Sequence, residues 1–281
     1  MRTANKRRLR SPIVWFGGKG NMVAKLLPLF PEHKIYVEPF GGGASLLFAK
    51  EPSAVEVYND LDDGLVTLFR VLRDPEKFGR FYHYAINTPY SRSEWKECRN
   101  WREYPDDVVR AWRWFILIRQ SFAGLRHSWG RSVTTSNRGM AETASSWLSA
   151  LEMIPEIHRR LMRVQIEQKD FRAILKEYDT LQTFFYCDPP YVLETRKDGK
   201  YVHEMTEDDH RELVEILLGL QGKVILSGYA HPVYDALVEA GWERKDFQTF
   251  CVVAGHTRMG KKIPREAMKR VDSVWISPNR Q

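Results

Sequence analysis

The chain has 281 residues, 43% of them hydrophobic and 28% charged, a balance that excludes a disordered polymer and allows one large domain or a domain carrying an insert. The formal net charge is +7, and no apolar run is long enough to span a membrane as a helix. Three cysteines, Cys98, Cys187 and Cys251, are far apart and form no CxxC pair, which predicts a reduced cytoplasmic protein without structural zinc.

The N-terminal MRTANKRRLR is basic but lacks a following signal-peptide core. After Gly20, NMVAKLLPLF predicts a helix that Pro28 ends or kinks. HKIYVE (33–38) reads as a strand, and it runs into PFGGGASLLF, three glycines between a strand and a helix. Such glycines let a ligand approach the backbone, although a tight strand–helix turn alone would account for them. AVEVYN (54–59) is the second strand, and Asp60 follows the glycines by about 20 residues, where an acid meets ribose hydroxyls in nucleotide sites. Asp60 is also placed to cap the helix expected over LDDGLVTLFRVL (61–72).

Residues 75–160 break the strand–helix rhythm. They hold WKECRNWREY, an apolar helix around VVRAWRWFILIR (108–119), and a Gly-, Ser- and Thr-rich stretch with four arginines and no acid between 119 and 138. This predicts an inserted, mostly helical module with an exposed basic loop or hairpin. Strands then return at VQIEQ (164–168), LQTFFYC (181–187), KVILSG (223–228), DFQTFCVV (246–253) and VDSVWI (271–276). TEDDHRELVEILLGL (206–220) is a helix with Thr206 as N-cap and acids in its first turn. About seven strands interleaved with helices predict an α/β fold with a mainly parallel sheet, which binds ligands at the carboxyl ends of its strands. Further acid-poor clusters at 1–10 and 255–270 join that at 119–138 and favour a polyanionic partner.

At the end of the fourth strand stands CDPPY (187–191). Asp188 is charged where a strand stops, Pro189 and Pro190 fix the backbone, and Tyr191 offers a flat ring. This set suits methylation of an exocyclic amine on a nucleobase, whose nitrogen lone pair is delocalised into the ring. A carboxylate and a backbone carbonyl accepting its two hydrogens localise that lone pair, while the aromatic holds the flipped base. The polar loop 192–206, with Gly199, reads as a segment that closes over substrate or as a plain connection.

WFGGKG (15–20), VEPFGGGAS, the acid of VYND (57–60), KDF (169–171), CDPPY, LSGY (226–229) and RVDSVWISPN together resemble the Dam-like, D12 class of DNA adenine N6-methyltransferases, in the alpha order of motifs. The likeness covers most of residues 11–278 and is weakest at 75–160. It implies a Rossmann-like S-adenosylmethionine-dependent methyltransferase domain of residues 1–74 and 161–281, with a DNA-recognition domain inserted at 75–160. It implies S-adenosyl-L-methionine as cofactor, with Trp15, Lys19, Asp60 and Asp188 contacting it, Glu38, Phe40, Gly41 and Gly42 near its methionine end, and Asp170 and Phe171 near its adenine. It implies double-stranded DNA as partner to a monomer, in the cytoplasm beside the nucleoid. Arg119, Phe122, Arg126, Trp129, Arg131 and Arg138 are the candidate DNA contacts, the arginines for phosphate or guanine and the aromatics to wedge where the base leaves.

The chain departs from the family in two places. The glycine turn ends in Ala44 rather than glycine, and Ala44 is expected to begin the helix. Relatives that methylate GATC show N-R-x-x-x-N-G-L and then F-N-V-P, whereas here Arg119, Ala123, Gly124 and Leu125 stand without an F-N-V-P. The target sequence therefore does not transfer, and the hairpin's few Asn or Gln residues point to relaxed specificity. A cytosine N4 or RNA adenine amino-methyltransferase would use the same corner. A nicotinamide dehydrogenase explains the glycines but not DPPY, and a non-catalytic DNA-binding protein leaves the intact corner unexplained. A cytosine C5 enzyme needs a cysteine nucleophile, usually after proline, and no Pro-Cys occurs.

Overall fold

The computed structural model describes residues 8–196, 202–250 and 269–278. Within them, all seven expected strands form: β1 (Ile35–Glu38), β2 (Val55–Asn59), β3 (Gln165–Glu167), β4 (Thr183–Cys187), β5 (Lys223–Gly228), β6 (Glu243–Phe250) and β7 (Lys269–Ile276). The helices are α1 (Val23–Leu26), α2 (Ser45–Ala49), α3 (Asp63–Arg73), α4 (Pro75–Ile86), α5 (Arg92–Glu97), α6 (Asp107–Arg119), α7 (Glu142–Leu161), α8 (Phe171–Glu177), α9 (Glu207–Gly219) and α10 (Asp235–Glu239). The protein is an α/β fold of the expected class. Residues 1–7, most of the basic run at 255–270, Cys251 and Gly199 lie outside the described residues.

The chain divides into two units, one of Met1–Phe30 with Gly41–Gln168 and one of Pro31–Phe40 with Lys169–Gln281. In the second unit the strands run in the order β1-β4-β5-β7-β6. β1, β4 and β5 are parallel, while β7 is antiparallel to both of its neighbours. Every residue of β4 is buried, as befits a parallel strand covered on both faces. The apolar centre of this unit is Tyr36, Phe184, Phe185, Leu226 and Trp275. Thr206 caps α9 in a capping box, with Asp209 returning the bond, as the acid-rich first turn suggested.

In the first unit β2 pairs in parallel with β3, with Val57 opposite Gln165. α3 packs on α6 and α7, burying Leu65, Leu68 and Phe69 with Trp114 and Ile154. Pro28 sits in a 3-10 turn directly after α1, the break its sequence predicts. Residues 75–161 are mostly helical, and the basic stretch carries two short antiparallel bridges, Ser121 with Trp129 and Thr135 with Ala141.

A buried charge cluster ties β2 to α7. The Glu56 carboxylate, 1% exposed, accepts hydrogen bonds from Lys50 Nζ at 2.6 Å and from both terminal nitrogens of Arg160. Arg160 also donates to the Leu47 carbonyl at 2.9 Å. Burial alone would raise the Glu56 pKa, but the Arg160 and Lys50 hydrogen bonds outweigh it and hold the carboxyl below its ordinary value. Glu56→Ala leaves two cations buried without their anion. It should cost about 3–5 kcal/mol of unfolding free energy in urea titration. Because the folded pKa is depressed, the contribution is full above pH ~4.5 and is lost as pH falls below that.

Candidate active site

In the first unit, the glycine turn is shaped by two rings. A Cβ on Gly41 would lie 2.2 Å from the Tyr58 ring, and one on Gly42 2.8 Å from the Trp15 indole. Gly42 also has φ of +46°, a region that favours glycine. The turn's polar groups are tied down as well. Gly41 N–H donates to the Asn59 carbonyl at 2.8 Å, Gly42 N–H to Asp60 Oδ2 at 2.8 Å, and Tyr58 O–H to the Gly42 carbonyl at 2.9 Å. The closeness the glycines permit is thus first of all closeness to Trp15 and Tyr58.

Asp60 Oδ1 accepts from the Asp62 amide at 2.8 Å. The helix cap is Asp62, whose Oδ1 accepts from Gly64 and Leu65 at 2.9 and 3.1 Å, so the alternative role of Asp60 as N-cap is corrected. α3 starts two residues later than the apolar pattern suggests, because Asp62 makes the better cap. Each Asp60 carboxylate oxygen thus accepts a main-chain N–H. Ala44 does not begin α2. It precedes it with φ of +52°, where a glycine would sit without strain. Lys19 is buried, with Nζ donating to the Gly17 carbonyl at 3.1 Å. A half-exposed carboxylate beside a half-exposed glycine backbone and an indole fits the ribose and amino-acid parts of S-adenosylmethionine.

In the second unit, Asp188 leaves β4 half-buried. Burial, and secondarily the Asp188 charge, raise the pKa values of the Tyr186 and Tyr234 hydroxyls and the Cys187 thiol. Tyr186 Oη lies 2.7 Å from Ser227 Oγ on β5. Tyr191 is not the open face that the sequence suggests: it is 6% exposed, its hydroxyl donates to Asp272 Oδ1 at 3.3 Å, and its ring meets Tyr229 edge-on at 4.6 Å. Tyr229 is half-exposed and is the ring beside the corner with surface to offer.

Glu38, 3% exposed, accepts from Tyr36 Oη at 2.7 Å. Phe40 and Phe171 come together with ring centroids 5.2 Å apart. Asp170 is exposed and caps α8, accepting from the Arg172 amide at 2.9 Å and from its guanidinium. Sequence reasoning assigned no role to Tyr229, Asp272, Ser227 or His210. The position of Gly228-Tyr229 at a strand's carboxyl end was the available signal for Tyr229.

The candidate DNA contacts all lie in the first unit, and most are committed internally. Arg119, whose pKa burial lowers to about 10, donates to the Ser146 carbonyl at 2.7 Å and to its hydroxyl at 3.0 Å. Arg138 grips Glu152 with two bonds of 3.0 and 2.8 Å at the surface. Trp129 meets Tyr90 in a tilted contact with ring centroids 5.2 Å apart, and the Arg92 guanidinium lies 4.9 Å from the centre of its ring. Phe122 is half-buried in a 3-10 turn. Arg131 is exposed, with no hydrogen bond or ion pair among the described residues. Arg126 turns inward: its guanidinium is 3.7 Å from Asp62 Oδ2 and 6.0 Å from the centre of the Trp15 ring. The turn that aims it holds three left-handed residues, Ala123 at φ +50°, Gly124 at +71° and Arg126 at +62°. A Cβ on Gly124 would lie 2.3 Å from the Val14 carbonyl oxygen.

The model of the D12 class N6 adenine-specific DNA methyltransferase family matches residues 15–249. The DNA N-6-adenine-methyltransferase of Escherichia phage P1 is 24% identical over 214 residues, covering 74% of this chain but only 28% of that protein's length. The type II methyltransferase M.MjaIII of Methanocaldococcus jannaschii is 22% identical over 233 residues, covering 72% of this chain and 76% of its own. Among solved structures, the rRNA methyltransferase aviRa from Streptomyces viridochromogenes superposes with a TM-score of 0.39 at 12% identity, over 92% of this chain and 84% of that one.

Asp62 Oδ2 is buried with no hydrogen-bond partner among the described residues, and the Arg126 guanidinium lies 3.7 Å from it. Arg126→Ala should therefore destabilise the fold by about 1–3 kcal/mol in urea titration. An unchanged midpoint would show that the pair contributes nothing.

Proposed function

We propose that this chain, which belongs to the D12 class of N6 adenine-specific DNA methyltransferases, transfers a methyl group from S-adenosylmethionine to the N6 amino group of adenine in double-stranded DNA. The observation that supports this reading best is Asp188, a half-buried carboxylate at the end of a fully buried parallel strand, followed by two prolines. A carboxylate there accepts one hydrogen of the amine, and a carbonyl of the proline pair accepts the other. Both interactions favour a tetrahedral nitrogen, so they strengthen as the new bond forms. The prolines fix φ and keep the carbonyls aimed without reorganisation. The flipped purine stacks on an aromatic, and the exposure of Tyr229 favours it over the enclosed Tyr191 for that contact.

The cofactor supplies an electrophilic methyl on a sulfonium. Trp15, Lys19, Glu38, Phe40, Gly41, Gly42, Asp60, Asp170 and Phe171 are the residues proposed to serve it. Asp60 takes hydroxyl donors. Lys19 Nζ already donates to the Gly17 carbonyl, and Glu38 already accepts from the Tyr36 hydroxyl. Residues 75–160 are proposed as the DNA-recognition insert within a methyltransferase domain of residues 1–74 and 161–281. Of the four arginines between 119 and 138, Arg131 is the one without a hydrogen bond or ion pair among the described residues, and it is proposed to meet phosphate.

With radiolabelled cofactor and unmethylated DNA, digestion to nucleosides should yield labelled N6-methyl-2′-deoxyadenosine; labelled N4-methyl-2′-deoxycytidine would refute the adenine assignment. Asp188→Ala should lower turnover by more than about 100-fold while DNA retention persists. Arg131→Ala should flatten the dependence of log K on log salt by about one unit. An unaltered slope would remove Arg131 from the interface.

A further inference from the structure

The turn that opens the basic stretch is strained, and the strain has a product. Ala123, Gly124 and Arg126 all have positive φ, and a Cβ on Gly124 would lie 2.3 Å from the Val14 carbonyl oxygen. Only glycine fits so close an approach, and the other two residues are held where L side chains rarely go. Such backbone persists only where its surroundings enforce it. Its result is the inward aim of the Arg126 guanidinium, 3.7 Å from Asp62 Oδ2 and 6.0 Å from the centre of the Trp15 ring.

The residues around that guanidinium close a circuit. Asp62 N–H donates to Asp60 Oδ1 at 2.8 Å, and Gly42 N–H donates to Asp60 Oδ2, also at 2.8 Å. Gly42 lies against Trp15, since a Cβ there would be 2.8 Å from the indole. Trp15 leads to Arg126, and Arg126 leads back to Asp62. Among these five, Arg126 alone comes from residues 75–160, and it is the one cation. The Arg126 side chain is 25% exposed and that of Asp62 3%, so salt screens the pair far less than it screens a surface pair. Asp62 Oδ1 caps α3, whereas Oδ2 has no hydrogen-bond partner among the described residues and faces Arg126.

Resting on the reading of the glycine turn and Asp60 as the cofactor's seat, we propose that Arg126 is a positioning residue for S-adenosylmethionine and not a contact to DNA. It holds Trp15 against Gly42 and neutralises Asp62, so the indole and the Asp60 carboxylate stand ready before the cofactor arrives. Less ordering then remains to be done on binding. Without the guanidinium, the buried Asp62 oxygen loses its counter-charge. The chain relieves that by moving residues 60–62, and Asp60 and Gly42 move with them. Cofactor affinity therefore depends on a residue of the insert even when no DNA is bound.

Variants of the full chain test this by three measurements: equilibrium dialysis with radiolabelled S-adenosylmethionine in the absence of DNA, DNA affinity against salt in the absence of cofactor, and urea titration to correct for unfolded protein. Arg126→Ala should raise the cofactor Kd by about tenfold per folded molecule. Its slope of log K for DNA against log salt should stay within about 0.3 of wild type. Arg126→Lys keeps a charge for Asp62 but not the flat guanidinium beside Trp15, and its cofactor Kd should stay within about threefold of wild type. A wild-type cofactor Kd in Arg126→Ala, or a salt slope flattened by about one unit, overturns the proposal. Should Arg126→Ala fail to fold, Arg126→Gln decides: a wild-type cofactor Kd overturns the proposal, and a Kd raised about fivefold or more with an unchanged salt slope supports it. An Asp60→Ala variant that binds cofactor as tightly as wild type would instead sink the placement of the cofactor, a separate outcome.

Discussion

A strand buried on both faces must hand its chain to a polar site without exposing its own ladder. β4 does this in one step. Thr183 to Cys187 are all buried, and Asp188 is the first residue to keep open surface. The prolines that follow cannot extend the ladder, so the chain turns there whatever its neighbours do. What lies behind the corner is then constrained in turn. Tyr186 finds Ser227, Tyr191 finds Asp272, and Tyr234 finds His210, so the hydroxyls of the three buried tyrosines around the corner each have a polar partner. Burial raises the pKa values of the Tyr186 and Tyr234 hydroxyls, so these two phenols stay neutral behind the corner.

The glycine turn obeys a similar rule in the first unit. Its three glycines look like an invitation to a ligand, yet Trp15 and Tyr58 already occupy the space beside Gly41 and Gly42. The two explanations are compatible, because the rings press the backbone from within while both glycines stay half-exposed. The same turn explains why Asp60 is held so firmly. One oxygen fixes Gly42 and the other fixes the start of α3 through Asp62, so the carboxylate is oriented before any hydroxyl arrives.

The strands and the capped helices were legible because their signals are local. Alternation and apolar runs gave β1 to β7, and Thr206 with three acids gave the start of α9. Sequence misled wherever two neighbouring residues competed for one role. Asp60 and Asp62 both suit a cap, and only the Gly42 bond to Asp60 decides between them. Ala44 reads as a helix former, but the turn before it forces a left-handed residue there. Tyr191 reads as an exposed ring, and only the tertiary contacts with Tyr229 and Asp272 reveal that it is enclosed. His210 carries no sequence signal at all, since an apolar helix face accepts a histidine without announcing its partners.

The basic segment shows why a charge count overstates a binding surface. Four arginines with no acid between 119 and 138 suggest four contacts for phosphate. Their partners lie far along the chain: Ser146 for Arg119, Asp62 for Arg126 and Glu152 for Arg138. These engagements are not equal. The Arg138–Glu152 pair is exposed and contributes about 0–1 kcal/mol, so a phosphate exchanges with it at little cost. Arg126 is held by a buried carboxylate and by a turn with three left-handed residues wedged against Val14, and releasing it would strand Asp62. That turn costs about 1–2 kcal/mol at each non-glycine position, a strain that only a fixed role for Arg126 repays. The segment therefore divides into an anchored part, Phe122 to Arg126 against Val14 and Trp15, and an outward part at Arg131 and Arg138, which is the part proposed to meet DNA.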